Sequence, residues 1–328
     1  MGEVALRKTQ AVLEVTRGTK IAATRKVYGK GMMTEKVDPI RPDNELRGTL
    51  VKNYRSQPGK IDASFPFEGS VTFEDLAWWF QLALKGGVTG VLRNSTVYDY
   101  TFVPTTTADD LKSATFEWGD DTQAWQSGFG MVDKFELMGA FGESLSFKAD
   151  ILVDDWATAT FTGALTDRVT EDALSHLSKL AIGNAGAVPS SYMTGRFIGF
   201  KFAIMNHLKP KTFLDGTGAK YTGMGREKRE YTLEVTFEGN ASTVTERANY
   251  DSYTPRVVRL TVAGSNIAGS SPTTAKAIDI VIPGVWTSYD PGDRETNTIF
   301  TGMLESQYDS VLAYDMSAVV TNALVTLP

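Results

Sequence analysis

Hydrophobic and polar residues alternate along much of this chain, in short runs closed by turn residues. The clearest run is Ser144–Val153, where Leu145, Phe147, Ala149 and Ile151 share one face and polar residues the other. A period of two marks a half-buried strand. Comparable runs predict strands over Ile21–Tyr28, Lys60–Phe67, Val97–Val103, Ser113–Trp118, Gly130–Gly139 and Ala157–Gly163. In the second half they predict Phe197–Met205, Glu230–Phe237, Val257–Ala263, Ala277–Ile282, Asn297–Ser306 and Ser317–Val325. Two stretches read as helices. Thr72 suits an N-cap, with Glu74 and Asp75 in the first turn and Gly86 or Gly87 as the stop. Leu76, Trp79, Phe80 and Ala83 follow at helical spacing, so this helix should plug an open edge or end of the first β-domain. A second helix is expected over Glu171–Leu180, as a bridge.

The order of elements repeats. Ile21–Tyr28, a long loop and Lys60–Gly69 are echoed by Phe197–Met205, a long loop and Glu230–Gly239, and both returning strands end in Phe-Glu-Gly. The expected fold is mainly β: two β-sandwich or β-barrel domains, each with a helix and a long loop arm. The first covers 1–165 and begins with an N-terminal arm, the second covers 191–328, and 166–190 form a linker with the short helix.

Both loops, Lys30–Gly59 and Lys209–Arg229, exceed what a compact hairpin needs, and loops of that length are functional or disordered. The first retains Met32, Met33, Leu46 and Tyr54, and the second Phe213, Leu214, Tyr221 and Met224. A disordered linker has no use for such residues, so the loops read as arms that contact neighbouring molecules rather than their own core. Arg41, Arg47, Lys52 and Arg55 add positive charge to the first arm.

Composition narrows the function. The 328 residues include no cysteine and only two histidines, His176 and His207. That removes disulfides, thiolate chemistry, and nearly any histidine-based metal site or catalytic triad. No apolar run is long enough to cross a membrane, and no apolar signal segment follows Met1. The net charge of −6 hides an asymmetry: +7 over residues 1–60, −11 over 61–168 and −2 over 169–328. The bases are scattered, which favours a solvated or self-complementary surface over a nucleic-acid site. The doublets Asp109-Asp110, Asp120-Asp121 and Asp154-Asp155 read as solvated turns, because neighbours on a strand point to opposite faces. Asp290, Asp293 and Glu295 lack the spacing of a calcium loop. The glycines of Gly216–Gly225 do not match a phosphate-binding loop. No catalytic residue, cofactor or metal site is expected.

Several stretches resemble the tail tube proteins of long, non-contractile-tailed bacteriophages. They are Gly18–Gly29 (GTKIAATRKVYG), Lys60–Leu84 (KIDASFPFEGSVTFEDLAWWFQLAL), Tyr98–Asp121, Gly130–Leu152, Phe200–Asn240 and Lys276–Ser310. The resemblance implies a structural virion protein that stacks as rings into the phage tail tube. A two-domain chain implies three copies per ring, a pseudo-hexamer, with inner strands closing a β-barrel around a DNA channel. It implies self-association as the main contact, with the tape measure protein, tail terminator and distal tail proteins as further partners. Viral DNA would pass without specific binding, no membrane would be involved, and assembly would occur in the host bacterial cytoplasm. A channel that lets DNA slide should repel phosphate, which makes Asp133, Glu136 and Asp150 candidate lumen-lining residues. The alternatives are a tail terminator or decoration protein, a hydrolase with a carboxylate pair, or a carbohydrate-binding β-sandwich. The last would need Trp118, Trp125, Trp156 and Trp286 exposed on one face.

Overall fold

The computed structural model describes residues 3–42, 47–107, 110–214 and 219–327. The fold is mainly β, with every strand ladder antiparallel. The first half contains β1 (Lys8–Leu13), β2 (Arg25–Val27), β3 (Lys30–Gly31), β4 (Thr34–Ile40), β5 (Gln57–Ser70), α1 (Leu76–Ala83), β6 (Val91–Asn94), β7 (Val97–Phe102), β8 (Ala114–Gly119), β9 (Ala124–Ala140), β10 (Ser146–Val153) and β11 (Ala157–Ala159). The second contains β12 (Ser178–Asn184), β13 (Phe197–Met205), β14 (Leu208–Lys211), β15 (Gly223–Arg226), β16 (Glu230–Glu238), α2 (Ala241–Asp251), β17 (Arg256–Asn266), β18 (Ala275–Arg294), β19 (Asn297–Ser306) and β20 (Ser317–Asn322).

Each half has two layers, and one long strand serves both. The start of β9 pairs with β8 and β11, while its later part pairs with β10 and β13. In the same way β18 pairs with β17 and β20 up to Gly284 and with β19 beyond it. The change of layer falls at Gly130 and at Gly284. A Cβ on Gly130 would lie 2.8 Å from the Ala114 carbonyl, and one on Gly284 would lie 2.1 Å from that of Glu305. Only glycine allows the backbones to approach that closely. Each strand then carries a bulge three residues on, at Asp133 and at Thr287. Bulges of this kind bend a strand and raise its twist.

With these bulges superposed, β5, β9 and β10 correspond to β16, β18 and β19, while β1, β8 and β11 correspond to β12, β17 and β20. The helices correspond too, α1 following β5 as α2 follows β16. The repeat therefore exists, but its residue alignment differs from the Phe-Glu-Gly echo. Phe67 sits opposite Ala149, whose counterpart Gly302 faces Val235, so Phe67 matches Val235 and not Phe237. A slip of two keeps the same face inward.

Alternation drives the packing. Phe65, Phe67, Phe135, Phe147 and Ile151 of the first half and Leu233, Val235, Phe237 and Leu304 of the second are buried in one continuous core. All eight residues of α1 are buried. Trp79 lies 4.9 Å from Phe147 and 5.4 Å from Phe67, centroid to centroid. Thr72 accepts the Asp75 N–H at 3.2 Å, but in a turn before the helix rather than as its N-cap.

Several expectations are corrected. Glu171–Leu180 is not a helix: bridges Thr72–Asp172 and Ser144–Leu174 hold it extended, a 3-10 turn covers Ser175–Leu177, and β12 begins at Ser178. Because β12 pairs along β17, the second repeat starts at Ser178, inside the expected 166–190 linker. Residues 8–13 are no N-terminal arm, since β1 lies between β2 and β8. Ladder pairing in Ile21–Tyr28 is confined to β2, because the Ile21 and Ala23 N–H groups donate to side chains of β8. Asp290–Arg294 form the end of β18, joined to β19 by Glu295 and Thr296 at φ 48° and 78°, the geometry of a two-residue hairpin turn.

Candidate assembly interface

The two halves join edge to edge. In β9, Lys134 to Ala140 pair with Met205 to Gly199 of β13, placing Leu137 opposite Phe202 and Glu136 opposite Ala203. Phe135, Leu137 and Phe202 are buried on the core side. On the other side Glu136 bridges Lys134 at 2.9 Å and, across the seam, Lys201 at 2.8 Å. Burial pushes the Glu136 carboxyl up, but hydrogen bonds from Lys201 and Lys134 outweigh it and hold the group below the ordinary glutamate value. The seam makes one continuous sheet in the order β3/β4–β5–β10–β9–β13–β16–β19–β18.

That sheet ends in two edges. Among the described residues β18 beyond Gly284 pairs with β19 alone, and β3 and β4 pair with β5 alone. Open edges of this length template pairing with another chain unless something covers them. The superposition makes them specific: the outer edge of β18 corresponds to the β9 edge at the seam, and β3–β4 corresponds to β13. A second join, between β7 and β20, ties the halves in the other layer, and the β6–β7 hairpin has no counterpart between α2 and β17.

The non-core face of this sheet is charged. From the alternation and the ladder registers, its strands place nine carboxylates from β5, β9, β10, β16, β18 and β19 on it, Glu136 and Asp150 among them, against seven cations, Lys30, Lys36, Lys60, Lys134, Lys148, Lys201 and Arg294. Asp133 has a different position. It is the bulge residue of β9, and its carboxylate accepts the Leu208 N–H at 2.6 Å.

The two arms behave differently. The second arm folds back over the first half of its own chain, where contact with a neighbouring molecule was expected. Tyr221 is 3% exposed among Leu111, Phe129, Met131 and Leu208, with Met224 packed alongside. Its hydroxyl donates to the Phe129 carbonyl at 3.2 Å, and burial pushes its pKa up. Lys220 reaches Asp154 at 3.3 Å and Asp155 at 3.2 Å, and Lys20 also bonds Asp155. Burial and the neighbouring Asp155 charge raise the Asp154 carboxyl, while Lys20 and Lys220 overcome burial and lower Asp155. This doublet is therefore a clasp for the arm, not a solvated turn. Phe213 and Leu214, further out, are exposed.

The first arm extends β5 through β4, and residues 47–58 are exposed without exception. Met32, Arg41, Arg47, Lys52, Tyr54 and Arg55 are exposed, with the Arg47 guanidinium 4.6 Å from the Tyr54 ring centroid. Met33 packs against the core instead. Leu46 lies outside the described residues, as does Asp109 of the first doublet.

The charge asymmetry is partly satisfied within the chain. Lys20 pairs with Asp155, Arg25 with Asp75, Lys26 with Asp167 at 2.9 Å and Arg17 with Asp110 at 3.0 Å. Arg25 is buried, and burial takes its pKa down to about 9 against the pull of Asp75. Trp118, Trp156 and Trp286 are buried and Trp125 half-buried, so they form no exposed aromatic platform. Among the described residues no group of three or more His, Asp or Glu stands close enough to hold a metal ion, and no helix is long and apolar enough to cross a membrane.

Sequence reasoning missed the seam and α2. The helix had a local signal: the Thr243 N–H donates to Asn240 Oδ1 at 3.2 Å and the Asn240 N–H to Thr243 Oγ1 at 2.7 Å, a reciprocal cap. Compared with known proteins, the chain matches no family model and no curated protein.

Proposed function

We propose that this chain is a tail tube subunit of the long, non-contractile bacteriophage type, three copies closing into a ring and rings stacking into a DNA conduit. One observation carries the reading: the sheet consists of two equivalent four-stranded units, and its two open edges are the equivalents of the two edges that meet inside the chain. Pairing β18 of one copy with β3–β4 of the next repeats the internal seam between molecules. Such a head-to-tail contact closes into a ring when the rotation allows. Transposing the seam sets Asp290 opposite Thr34 of the next copy, with Lys36 diagonal to Asp290 in reach of an ion pair.

Size supports three copies. Eight strands per chain give twenty-four in the ring, and at about 4.8 Å per strand and a tilt near 40° the barrel is about 48 Å across between backbones. Side chains take about 5 Å from each wall, leaving a channel wider than a DNA duplex. Two copies would leave about 22 Å, with little room for hydration. The charged, net acidic face is then the channel wall, which disfavours adhesion of phosphates. In this reading the protein is no enzyme; it belongs to the virion after assembly in the host cytoplasm, and its main partner is itself. The tape measure, terminator and distal tail proteins are further proposed partners. Negative-stain microscopy of concentrated purified protein tests the reading: stacked rings or tubes are expected, and a population that stays monomeric at every concentration and salt would overturn it.

A further inference from the structure

The two arms are equivalent elements, yet one is seated and the other is not. The segments between matched strand positions, Val37–Ile61 and Asn206–Arg229, differ in length by a single residue. Counting back from the matched positions in β5 and β16 places Tyr54 within one residue of the counterpart of Tyr221, with Lys52 near the counterpart of Lys220.

The seat of Tyr221 also has a counterpart. The bulge alignment carries Phe129 to Pro283 and Asp154 to Gln307, and the β1–β12 alignment carries Glu14 to Ala185. Ala185, Pro283 and Gln307 line a groove of about 260 Å³ in the second half, beside Tyr308 and Val311. In the first half Tyr221 fills this position. In the second half Tyr308 and Val311 are 49% and 74% exposed. Single exposed apolar residues are ordinary, but two flanking a groove whose counterpart is filled call for an occupant.

We propose that this groove is the seat for the first arm of a neighbouring copy, with Tyr54 entering beside Tyr308 as Tyr221 enters beside Asp155. The inference rests on the ring reading, because the β18 to β3–β4 contact is what brings that arm over the second half. A segment exposed in the free chain and buried on contact orders itself at that step, so the arm would couple ring closure to its own folding.

The absence of cysteine makes the test clean. Tyr54→Cys and Tyr308→Cys are made in separate chains, both at exposed positions, then mixed, assembled and treated with a short thiol-to-thiol crosslinker. A dimer crosslinked between the two substituted positions is expected, identified by mass spectrometry of the joined peptides. It should be lost when Val169→Cys, exposed but away from the groove, replaces Tyr308→Cys. The pair Asp290→Cys and Thr34→Cys reports the sheet contact separately as a disulfide. If that disulfide forms between copies and the Tyr54–Tyr308 link does not, the seat is wrong and the ring reading stands. If neither forms, both fall.

Discussion

Replacing Tyr221 with alanine should release the second arm from its seat while leaving the main core folded. The ring is 3% exposed and sits edge-on to Phe129, with centroids 5.2 Å apart at 79°. Truncating a buried aromatic costs about 3–5 kcal/mol, the edge-to-face contact contributing about 0.5–1.5 kcal/mol of that. The hydroxyl donation to Phe129 accounts for about 1 kcal/mol, which is what Tyr221→Phe should lose alone. The arm is a hairpin attached at its base, so most of this loss should appear as local opening rather than global unfolding. A change of about 3 kcal/mol raises the open fraction on the order of a hundredfold. Limited proteolysis reads that fraction when opening is fast relative to cleavage. Cleavage after Lys211 or Lys220 should accelerate by about two orders of magnitude in Tyr221→Ala and by under one in Tyr221→Phe. If Tyr221→Ala is cut no faster than the parent chain, the arm is not held by this seat, and the argument from its counterpart loses its template.

Other outcomes follow from the same structure. Asp75→Ala leaves the buried Arg25 and the adjoining Arg168 without their carboxylate, and should cost about 3–5 kcal/mol in urea unfolding. Gly284→Ala forces a Cβ onto the Glu305 carbonyl and should cost about 1–3 kcal/mol, with the effect greatest in hydrogen exchange of β18 and β19. Glu136 has a folded pKa below its ordinary 4.5, so its contribution is fully present above that value and lost as pH falls through the folded one. Melting temperature should therefore drop on acidification below about pH 4.5, and less steeply in Glu136→Gln. Removing residues 47–56, all exposed, should leave the melting temperature nearly unchanged and abolish polymerisation measured by light scattering.

Much of the fold was legible because strand alternation is local. Asn297–Ser306 matches β19 end to end, and Ser144–Val153 differs from β10 by two residues. The seam was not legible, because Leu137 opposite Phe202 is a pairing between distant segments whose own patterns say only that each has a buried face. Glu171–Leu180 shows the opposite limit: the helix expected there as a bridge gives way to extended backbone held by the bridges at Asp172 and Leu174. The arms were visible as apolar residues in long loops, but not their unequal fates. Tyr221 and Tyr54 look alike in sequence, and only the placement of Leu111 and Phe129 distinguishes them. Asp154-Asp155 was misread for the same reason, since its partners Lys20 and Lys220 are far away in sequence.

The most direct test of the proposed ring is the register of the contact between copies. Glu136 opposite Ala203 within the chain transposes to Asp290 opposite Thr34 between chains. Directly opposed residues in an antiparallel pair have Cα atoms about 4.5–5.5 Å apart, within disulfide reach. The double variant Asp290→Cys/Thr34→Cys, assembled and oxidised, should give a closed covalent species of three chains on a non-reducing gel, reverting to monomer on reduction. Chains that remain monomeric, or that link into an open ladder with no stop at three, would contradict the account.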